Sequence, residues 1–346
     1  MQRLYTPKIG PERKNNAMKA IWYEQPGKAS DVLKYGDVEQ PEPKAGEVRV
    51  KIHVSGVNPS DTKFRSGWMG LKQPYAKTIP HNDGAGVIDA VGEGVSSERI
   101  GERVWIYEAQ RQSAFGTAAD YVVVPGHKAV TMPEALDFAS GASLGVPAMT
   151  AHFAVFSDGP ITDKVVLVHG GAGAVGSYAI QLAKWGDAKT VLATVSSDEK
   201  AAVAKQMGAD YVINYRQEDV VARVREIVGK RGCDRIVDVA LAANIDINAK
   251  LVAHNGVIAT YESGNAPTVK IPFYELLYKN AALRTVLVYA MSEAAHEAAA
   301  KDINQAIQDG ALQYLIAAHY PLSETAVAHD AVDSGQLIGK VVIDVV

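Results

Sequence analysis

Residues 166–186 read VLVHGGAGAVGSYAIQLAKWG, in which an apolar run passes through four glycines into an amphipathic stretch. The apolar run predicts a strand from Val165 to His169, and the amphipathic stretch predicts a helix from Val175 to Trp185. Glycines this dense between two ordered segments serve either a tight turn or the close approach of another group. The stretch therefore predicts a strand–turn–helix unit with an unusual turn.

Gly171, Gly173 and Gly176 give this turn the spacing GxGxxG. In a nucleotide-binding unit the first glycine permits the tight turn, the second lets a pyrophosphate approach the backbone, and the third lets helix and strand pack closely. The N-terminus of the following helix adds free N–H groups and the positive end of the helix dipole. We interpret the motif as a dinucleotide site; the alternative is a turn with a purely structural role.

Strands and helices alternate along the chain from residue 164 onward. Six strand-like segments are separated mostly by helical stretches: KVVLVH, KTVLATV, ADYVINY, DRIVDVA, GVIATY and LRTVLVY. This alternation predicts an α/β fold with a doubly wound parallel sheet. Before residue 130 the pattern is instead short strands and turns, such as EVRVKIHVSGV, which predicts a partly open β-barrel. The terminal GKVVIDVV reads as a closing strand that pairs with an earlier one.

Composition narrows the functional class. The chain has 346 residues, about two domains, with 47% hydrophobic residues and a formal net charge of −4. No block of like charges supports a nucleic-acid partner. Cys233 is the single cysteine, which excludes an intrachain disulfide and favours a reducing, cytoplasmic location. No apolar run is long enough for a membrane helix, and residues 1–17 read as a loose extension rather than a secretory signal.

The end of the second strand bears on the choice of dinucleotide. An NAD site usually carries an acidic residue there, but this chain has Ser196 and Ser197, with no carboxylate before Asp198. Lys200, one helical turn on, and Tyr215, ending the third strand, could bind a 2′-phosphate. We therefore predict NADPH rather than NADH. The two serines also suit a helix N-cap, and both roles are compatible.

With these features together, the chain from residue 18 to residue 346 resembles the zinc-free quinone oxidoreductase (zeta-crystallin) branch of the medium-chain dehydrogenase/reductase superfamily. The motifs that carry the resemblance are VSGVNPSDTKFRSG, DGAGVIDAVGEGV, GTAADYVVVP, GVPAMTAH, HGGAGAVG, GADYVINYRQED and GKVVIDVV. The resemblance implies a GroES-like β-barrel catalytic domain, residues 18–147 and 290–346, joined to a Rossmann NADP-binding domain, residues 148–289.

The positions that hold zinc in zinc-dependent relatives differ here. The resemblance places Asn58, the pair Asn82 and Asp83, and Val146 where those relatives carry cysteines and a His-Glu pair. A catalytic zinc site needs about three thiolate, imidazole or carboxylate ligands. We therefore predict no bound metal.

The resemblance also implies roles for single residues. Asn58, Asp61 and Lys63 are the expected catalytic-cleft residues. The expected cofactor contacts are Thr150, Gly171, Gly173, Ala174, Val175, Gly176, Ser196, Lys200, Tyr215, Ala240, Leu241, Tyr261, Val288 and Lys340. Close relatives often carry tyrosine at the position of Lys63, so a quinone preference does not transfer directly.

Structural interpretations stand beside several of these roles. Asn58 before Pro59 suits a turn, and Asp61 could cap the short turn that follows. Lys63 reads as a solvated charge. The histidines and the cysteine read as structural: His81, His152, His169 and Cys233.

The expected function is an NADPH-dependent quinone oxidoreductase that passes hydride directly from nicotinamide to substrate. An enone or alkenal double-bond reductase is an alternative of the same class, and a nucleotide-sensing or RNA-binding protein is one of another class. The apolar run ALRTVLVYAM, residues 282–291, predicts a long edge strand, with Val286 or Val288 facing the partner subunit. We therefore expect a homodimer or homotetramer.

Overall fold

The computed structural model describes residues 17–346. Its strands are β1 (Ala17–Trp22), β2 (Lys34–Glu39), β3 (Glu47–Val57), β4 (Asp83–Val91), β5 (Arg103–Ile106), β6 (Tyr121–Pro125), β7 (Ala129–Thr131), β8 (Val165–His169), β9 (Thr190–Val195), β10 (Tyr211–Asn214), β11 (Cys233–Asp238), β12 (Val252–Thr260), β13 (Ala282–Thr285), β14 (Ile316–Pro321) and β15 (Lys340–Asp344). Its helices are α1 (Ala29–Val32), α2 (Pro59–Ser66), α3 (Phe138–Gly141), α4 (Gly145–Phe156), α5 (Ala174–Trp185), α6 (Asp198–Gln206), α7 (Val220–Val228), α8 (Leu241–Leu251), α9 (Phe273–Leu277), α10 (Glu293–Gln308) and α11 (Thr325–Asp333).

The predicted parallel sheet is confirmed. Six strands lie in the order β10-β9-β8-β11-β12-β13, and every neighbouring pair is parallel. Along β8 the side chains alternate: Val166 and Val168 pack into the core that contains α4, α5 and α10, while Leu167 packs into the core that contains α7 and α8. The strand order reverses between β8 and β11, the point where sheets of this type bind ligands at the carboxyl ends of their strands.

The first part of the chain forms the predicted barrel-like sheet. Its strands run β14-β15-β3-β4-β5-β7, β6 also pairs with β3, and β1 pairs with β2 separately. The closing strand β15 pairs antiparallel with β3, where Val342 lies opposite Gly56. This contact confirms that the end of the chain returns to the first sheet.

The last strand of the parallel sheet is shorter than predicted. β13 ends at Thr285, and Val288 lies in a following 3₁₀ turn. Val286 and Val288 are each only 4% exposed, because the chain turns inward after β13 to pack in the core. The prediction that one of these two valines faces a partner subunit was therefore wrong.

The described residues begin inside the predicted extension. Residues 1–16 lie outside the described part of the chain, and Ala17 is the first residue of β1. None of the described helices has the length and apolar character needed to cross a bilayer.

Candidate active site

The helix α2 begins with a reciprocal cap. Asn58 is its N-cap residue and Pro59 occupies the first turn, where a missing N–H costs nothing. The backbone N–H of Asn58 donates to Asp61 Oδ2 at 2.8 Å, and the Asn58 side chain accepts from the backbone N–H of Asp61. Both residues thus have a structural role, but they cap a helix where the sequence suggested a turn. Both are also almost fully buried, at 3% and 2% exposure, so the cap lies in the interior.

An ion pair lies directly behind this cap. Lys340 Nζ, on the closing strand, donates to Asp83 Oδ2 at 2.9 Å and also to Asn58 Oδ1. Asn58 Nδ2 donates to the same Asp83 oxygen at 2.8 Å, and the backbone N–H of Val146 donates to Asp83 Oδ1 at 2.9 Å. Asp83 is fully buried, so its charge depends on these donors. The structure thus brings Lys340 to the predicted catalytic residue Asn58, whereas its contact with a cofactor remains a prediction.

A second carboxylate shares this interior. Asn82 Nδ2 donates to Asp61 Oδ1 at 2.9 Å. Burial, and after it the charge of Asp83, raise the pKa of Asp61 to about 6. Asp61 therefore gains or loses a proton near neutral pH. When it is protonated, the charges of Asp83 and Lys340 balance; when it is ionised, the cluster carries one negative charge.

The side chains at the positions that hold zinc in zinc-dependent relatives do not fit a zinc ion here. Val146 has an apolar side chain, and the amides of Asn58 and Asn82 are neutral and hydrogen-bonded to Asp83 and Asp61. The Lys340 ammonium, a cation, shares the same carboxylate. Among residues 17–346, no three His, Cys, Asp or Glu side chains lie close enough together to ligate a metal ion.

The inter-domain crevice is the space between α2 and the carboxyl ends of the parallel strands, and two polar contacts cross it. Ser60 Oγ lies 2.9 Å from the hydroxyl of Tyr289, which follows β13. Lys63 Nζ forms an ion pair with the carboxylate of Glu262, which follows β12. Burial opposes ionisation of Glu262, but the bond from Lys63 holds its pKa below the usual value. The interpretation of Lys63 as a solvated charge was therefore wrong.

The glycine turn opens into the same crevice. Gly170 has φ +71°, in the left-handed region, so it rather than Gly171 makes the tight turn. A Cβ at Gly171 would lie 2.7 Å from Ala193 Cβ, and a Cβ at Gly176 would lie 2.2 Å from the Gly170 carbonyl oxygen. The first of these glycines therefore serves packing against β9, and the last serves close packing of α5 on the turn.

Gly173 has neither the left-handed backbone of Gly170 nor the very close packing of Gly171 and Gly176. It is the N-cap of α5 with ordinary φ and ψ, and the nearest atom to a Cβ there would be the Gly170 carbonyl oxygen at 3.3 Å. Gly173 is exposed, and among the described residues other than its chain neighbours this oxygen is the one atom within 4 Å of the Cβ position. Space beside a helix N-terminus with free N–H groups suits a phosphate.

The predicted 2′-phosphate residues lie around the end of β9. The backbone N–H of Tyr215 donates to the Val195 carbonyl at 3.1 Å, which brings Tyr215 beside Ser196. Ser197 is the N-cap of α6, and its hydroxyl accepts from the backbone N–H of Lys200 at 3.3 Å, which confirms the cap. Among the described residues the Lys200 ammonium has no carboxylate partner, and it is partly exposed.

The other predicted cofactor residues, apart from Thr150, also follow the carboxyl ends of parallel strands. Their positions are Thr150 in α4, Ala174 and Val175 at the start of α5, Ala240 and Leu241 at the start of α8, Tyr261 after β12, and Val288 after β13. The backbone N–H of Leu241 donates to the Glu262 carbonyl at 3.1 Å, so the segments after β11 and β12 are joined. Contacts of these residues with a cofactor remain predictions.

The buried histidines have protein partners. His169 Nδ1 lies 2.9 Å from Thr194 Oγ1, and its Nε2 lies 2.8 Å from Asn248 Oδ1. Burial lowers the pKa of His169, so it remains neutral. Similarly, His81 bonds to Ser55 and to His329. These contacts support the structural interpretation of both histidines.

Sequence reasoning missed two residues of the crevice. Glu262 comes directly after the GVIATY strand, and a polar residue at the carboxyl end of a parallel strand was the signal that could have identified it. Tyr289 had no such signal, because it lies in a stretch that reads as strand.

Two family models match the chain. The Alcohol dehydrogenase GroES-like domain matches residues 44–134, and the Zinc-binding dehydrogenase domain matches residues 174–305. The quinone oxidoreductase of Sus scrofa is 31% identical over 309 residues, covering 89% of this chain and 92% of the relative. That of Homo sapiens is 31% identical over 316 residues, covering 90% and 94%. A solved mycobacterial protein complexed with NADPH has a TM-score of 0.82 and 28% identity, covering 95% of this chain and 100% of that chain.

Proposed function

Because this chain belongs to the quinone oxidoreductase branch of the medium-chain dehydrogenase/reductase superfamily, we propose that it reduces quinones with NADPH, by direct hydride transfer and without zinc. One observation carries the proposal. The glycine turn leaves Gly173 exposed at the N-terminus of α5, and the buried Asn58–Asp83–Lys340 cluster lacks the ligands of a catalytic zinc site.

The residues present fit a phosphorylated dinucleotide. The exposed Gly173 and the N-terminus of α5 would take the pyrophosphate, and Ser196, Lys200 and Tyr215 would take the 2′-phosphate. Bound NADPH supplies a hydride, and the quinone accepts that hydride and one proton to become a hydroquinone. The chain's own work would be to bind both partners, to orient them and to exclude water from the crevice.

Within this proposal, the roles of the other predicted site residues follow from their places. Asn58 lies where the buried cluster meets the crevice, and Lys340 and Asp83 keep its side chain in one orientation.

The barrel domain would comprise residues 18–147 and 290–346, and the nucleotide domain residues 148–289. The buried, reduced Cys233 agrees with a cytoplasmic location.

The deciding experiment is NADPH oxidation by the purified protein, before and after treatment with a chelator, with quinones, enones and aldehydes. We expect turnover of quinones, with no zinc found by elemental analysis. Turnover of enones alone would favour the double-bond reductase instead. Stoichiometric zinc, with activity lost on chelation, would contradict the zinc-free mechanism. Binding of NADPH without turnover of any of these compounds would favour a sensor.

The choice of cofactor rests on Lys200. We expect Lys200→Ala to raise the KM for NADPH about tenfold or more and to leave the KM for NADH nearly unchanged, because only NADPH loses a charge-assisted phosphate contact. Lys205→Ala is the matched control, since Lys205 is an exposed lysine on the same helix. Equal losses for both cofactors would contradict the assignment.

A homodimer is proposed through one apolar surface, the edge patch. It contains Ile271, Phe273, Tyr274, Leu277, Tyr278, Leu283 and Leu287, all at least one-third exposed. The patch continues onto β13, which pairs only with β12 among the described strands and so has a free edge. An apolar patch beside a free strand edge suits pairing with a second copy about a two-fold axis.

The edge patch gives a test of assembly that avoids the buried valines. We expect Leu287→Glu combined with Tyr278→Glu to convert a dimer into a monomer, because a two-fold axis would bury each charge in both copies. Light scattering at micromolar concentration measures the mass, and wild type near 36.9 kDa would contradict the proposal. Ile100→Glu, at an exposed apolar residue of the barrel, is the matched control.

A further inference from the structure

The Lys63–Glu262 ion pair lies at the mouth of the crevice, and its position suits a role besides that of holding α2 in place. Lys63 lies one helical turn after Ser60, and its side chain is 26% exposed, whereas Asn58 is almost fully buried. The Lys63 ammonium is held by Glu262 and lies 4.6 Å from the centre of the Trp68 ring. A compound that enters the crevice from solvent therefore meets Lys63 before it meets the buried cluster.

The two partners differ in how firmly they are held. Glu262 Oε1 accepts from the backbone N–H of Ser263 at 2.9 Å, and its carbonyl accepts from the N–H of Leu241 at 3.1 Å. Lys63 instead carries its charge on a flexible four-carbon stem. Both side chains still reach solvent, at 26% and 28% exposure, so water can solvate Glu262 when Lys63 moves away. A second anion could therefore take over Lys63 while Glu262 stays in place.

A second cation borders the same entrance. The Arg111 guanidinium lies 6.0 Å from the centre of the Tyr289 ring, and the Tyr289 hydroxyl bonds to Ser60 on α2. Arg111 is exposed and has no carboxylate partner among residues 17–346. The entrance thus has two cations, Lys63 and Arg111, of which Glu262 neutralises the first, and two aromatic rings, Trp68 and Tyr289. Flat faces beside these cations suit a planar anion.

We infer that Lys63 is a specificity-determining residue that selects planar conjugated carbonyl substrates bearing a carboxylate or sulfonate, whose anion displaces Glu262 from the Lys63 ammonium. This inference rests on the proposed function, because it names the substrate class of that same crevice. Because Glu262 neutralises Lys63, an anion in bulk solvent gains little from binding at the entrance. An anion whose ring also reaches Trp68 gains both the charge contact with Lys63 and the contact with the Trp68 ring.

The test compares 1,4-naphthoquinone with its 2-sulfonate at one ionic strength. The measured quantity is the ratio of kcat/KM for the sulfonate to kcat/KM for the neutral quinone, so that general loss of activity cancels. We expect Lys63→Met to lower this ratio about tenfold and Glu262→Gln to raise it, because the first removes the cation and the second frees it. Lys63→Arg should keep most of the ratio. Ratios within about twofold of wild type in both variants would overturn the inference.

A matched control and a second readout keep the two proposals separable. Lys34→Met breaks the exposed Lys34–Glu24 pair of the barrel domain and should leave the ratio unchanged. Calorimetric binding of naphthalene-2-sulfonate needs no turnover, and Lys63→Met should weaken it about tenfold. If wild type reduces neither quinone but binds the sulfonate through Lys63, the proposed function fails and only the anion-binding role of Lys63 stands. Binding that Lys63→Met does not change would overturn the inference alone.

Discussion

Lys340→Met is expected to lower the free energy of unfolding by about 3–5 kcal/mol, because it leaves the buried Asp83 carboxylate without its cation. Urea unfolding followed by circular dichroism measures the loss. The raised pKa of Asp61, about 6, adds a pH dependence. Ionisation of Asp61 opposes folding as the pH rises through that value, and without Lys340 it opposes folding more. The loss should therefore be larger at about pH 8 than at about pH 5.

The double variant Lys340→Met, Asp83→Asn separates charge from packing. An amide at position 83 can still accept from the Val146 N–H, and it can donate to Asn58 Oδ1 once the Asn58 amide turns over. We therefore expect the double variant to recover part of the lost stability. A single variant that loses less than about 1 kcal/mol, with no recovery in the double variant, would show that the ion pair contributes little.

We expect Gly176→Ala to lower the stability of the protein, and Gly173→Ala to weaken NADPH binding with little loss of stability. At Gly176 the added Cβ would lie 2.2 Å from a backbone oxygen, so the turn or α5 must move, and we expect a loss of about 3 kcal/mol or more. At Gly173 the conformation suits alanine, and the added Cβ would meet one atom closely, the Gly170 carbonyl oxygen at 3.3 Å, so the free energy of unfolding should change by less than about 1 kcal/mol. The same methyl group would stand where the pyrophosphate approaches, so the KM for NADPH should rise at least about tenfold.

Each glycine variant serves as the control for the other. Urea unfolding and NADPH titration are measured on both proteins and on wild type. If Gly173→Ala binds NADPH as wild type does, the pyrophosphate lies elsewhere and the cofactor site is misplaced. If Gly176→Ala is as stable as wild type, close packing of α5 on the glycine turn is not required.

Local patterns in the sequence were sufficient for much of the fold. The alternation of Val166, Leu167 and Val168, followed by glycines and a helix, predicted β8, the turn and α5 because a strand buried on both faces and an amphipathic helix each leave a short-range signature. The caps at Asn58 and Ser197 were equally local, since a cap needs only residues three positions apart.

The conformation of the glycine turn and the length of β13 could be predicted only in part from neighbouring residues in the sequence. The left-handed conformation belongs to Gly170 and not to Gly171, because Gly171 is required by packing under Ala193 of β9. Likewise, ALRTVLVYAM has the composition of one long strand, but the chain turns inward after Thr285. Burial of Val286 and Val288 in the core outweighs β-propensity there, and propensity alone could not show this.

The contacts that make the crevice were decided by the tertiary structure alone. Lys340 lies 257 residues from Asp83, Lys63 lies 199 residues from Glu262, and Ser60 lies 229 residues from Tyr289. A lysine or a serine has the same local pattern whether it is solvated or paired, because the partner is chosen by how the two sheets pack. The sequence by itself determined the strand–turn–helix unit and the helix caps, since those depend on neighbours along the chain. Packing of the closing strand and of α2 against the parallel sheet decided which charges are buried, which are paired, and which remain open to a ligand.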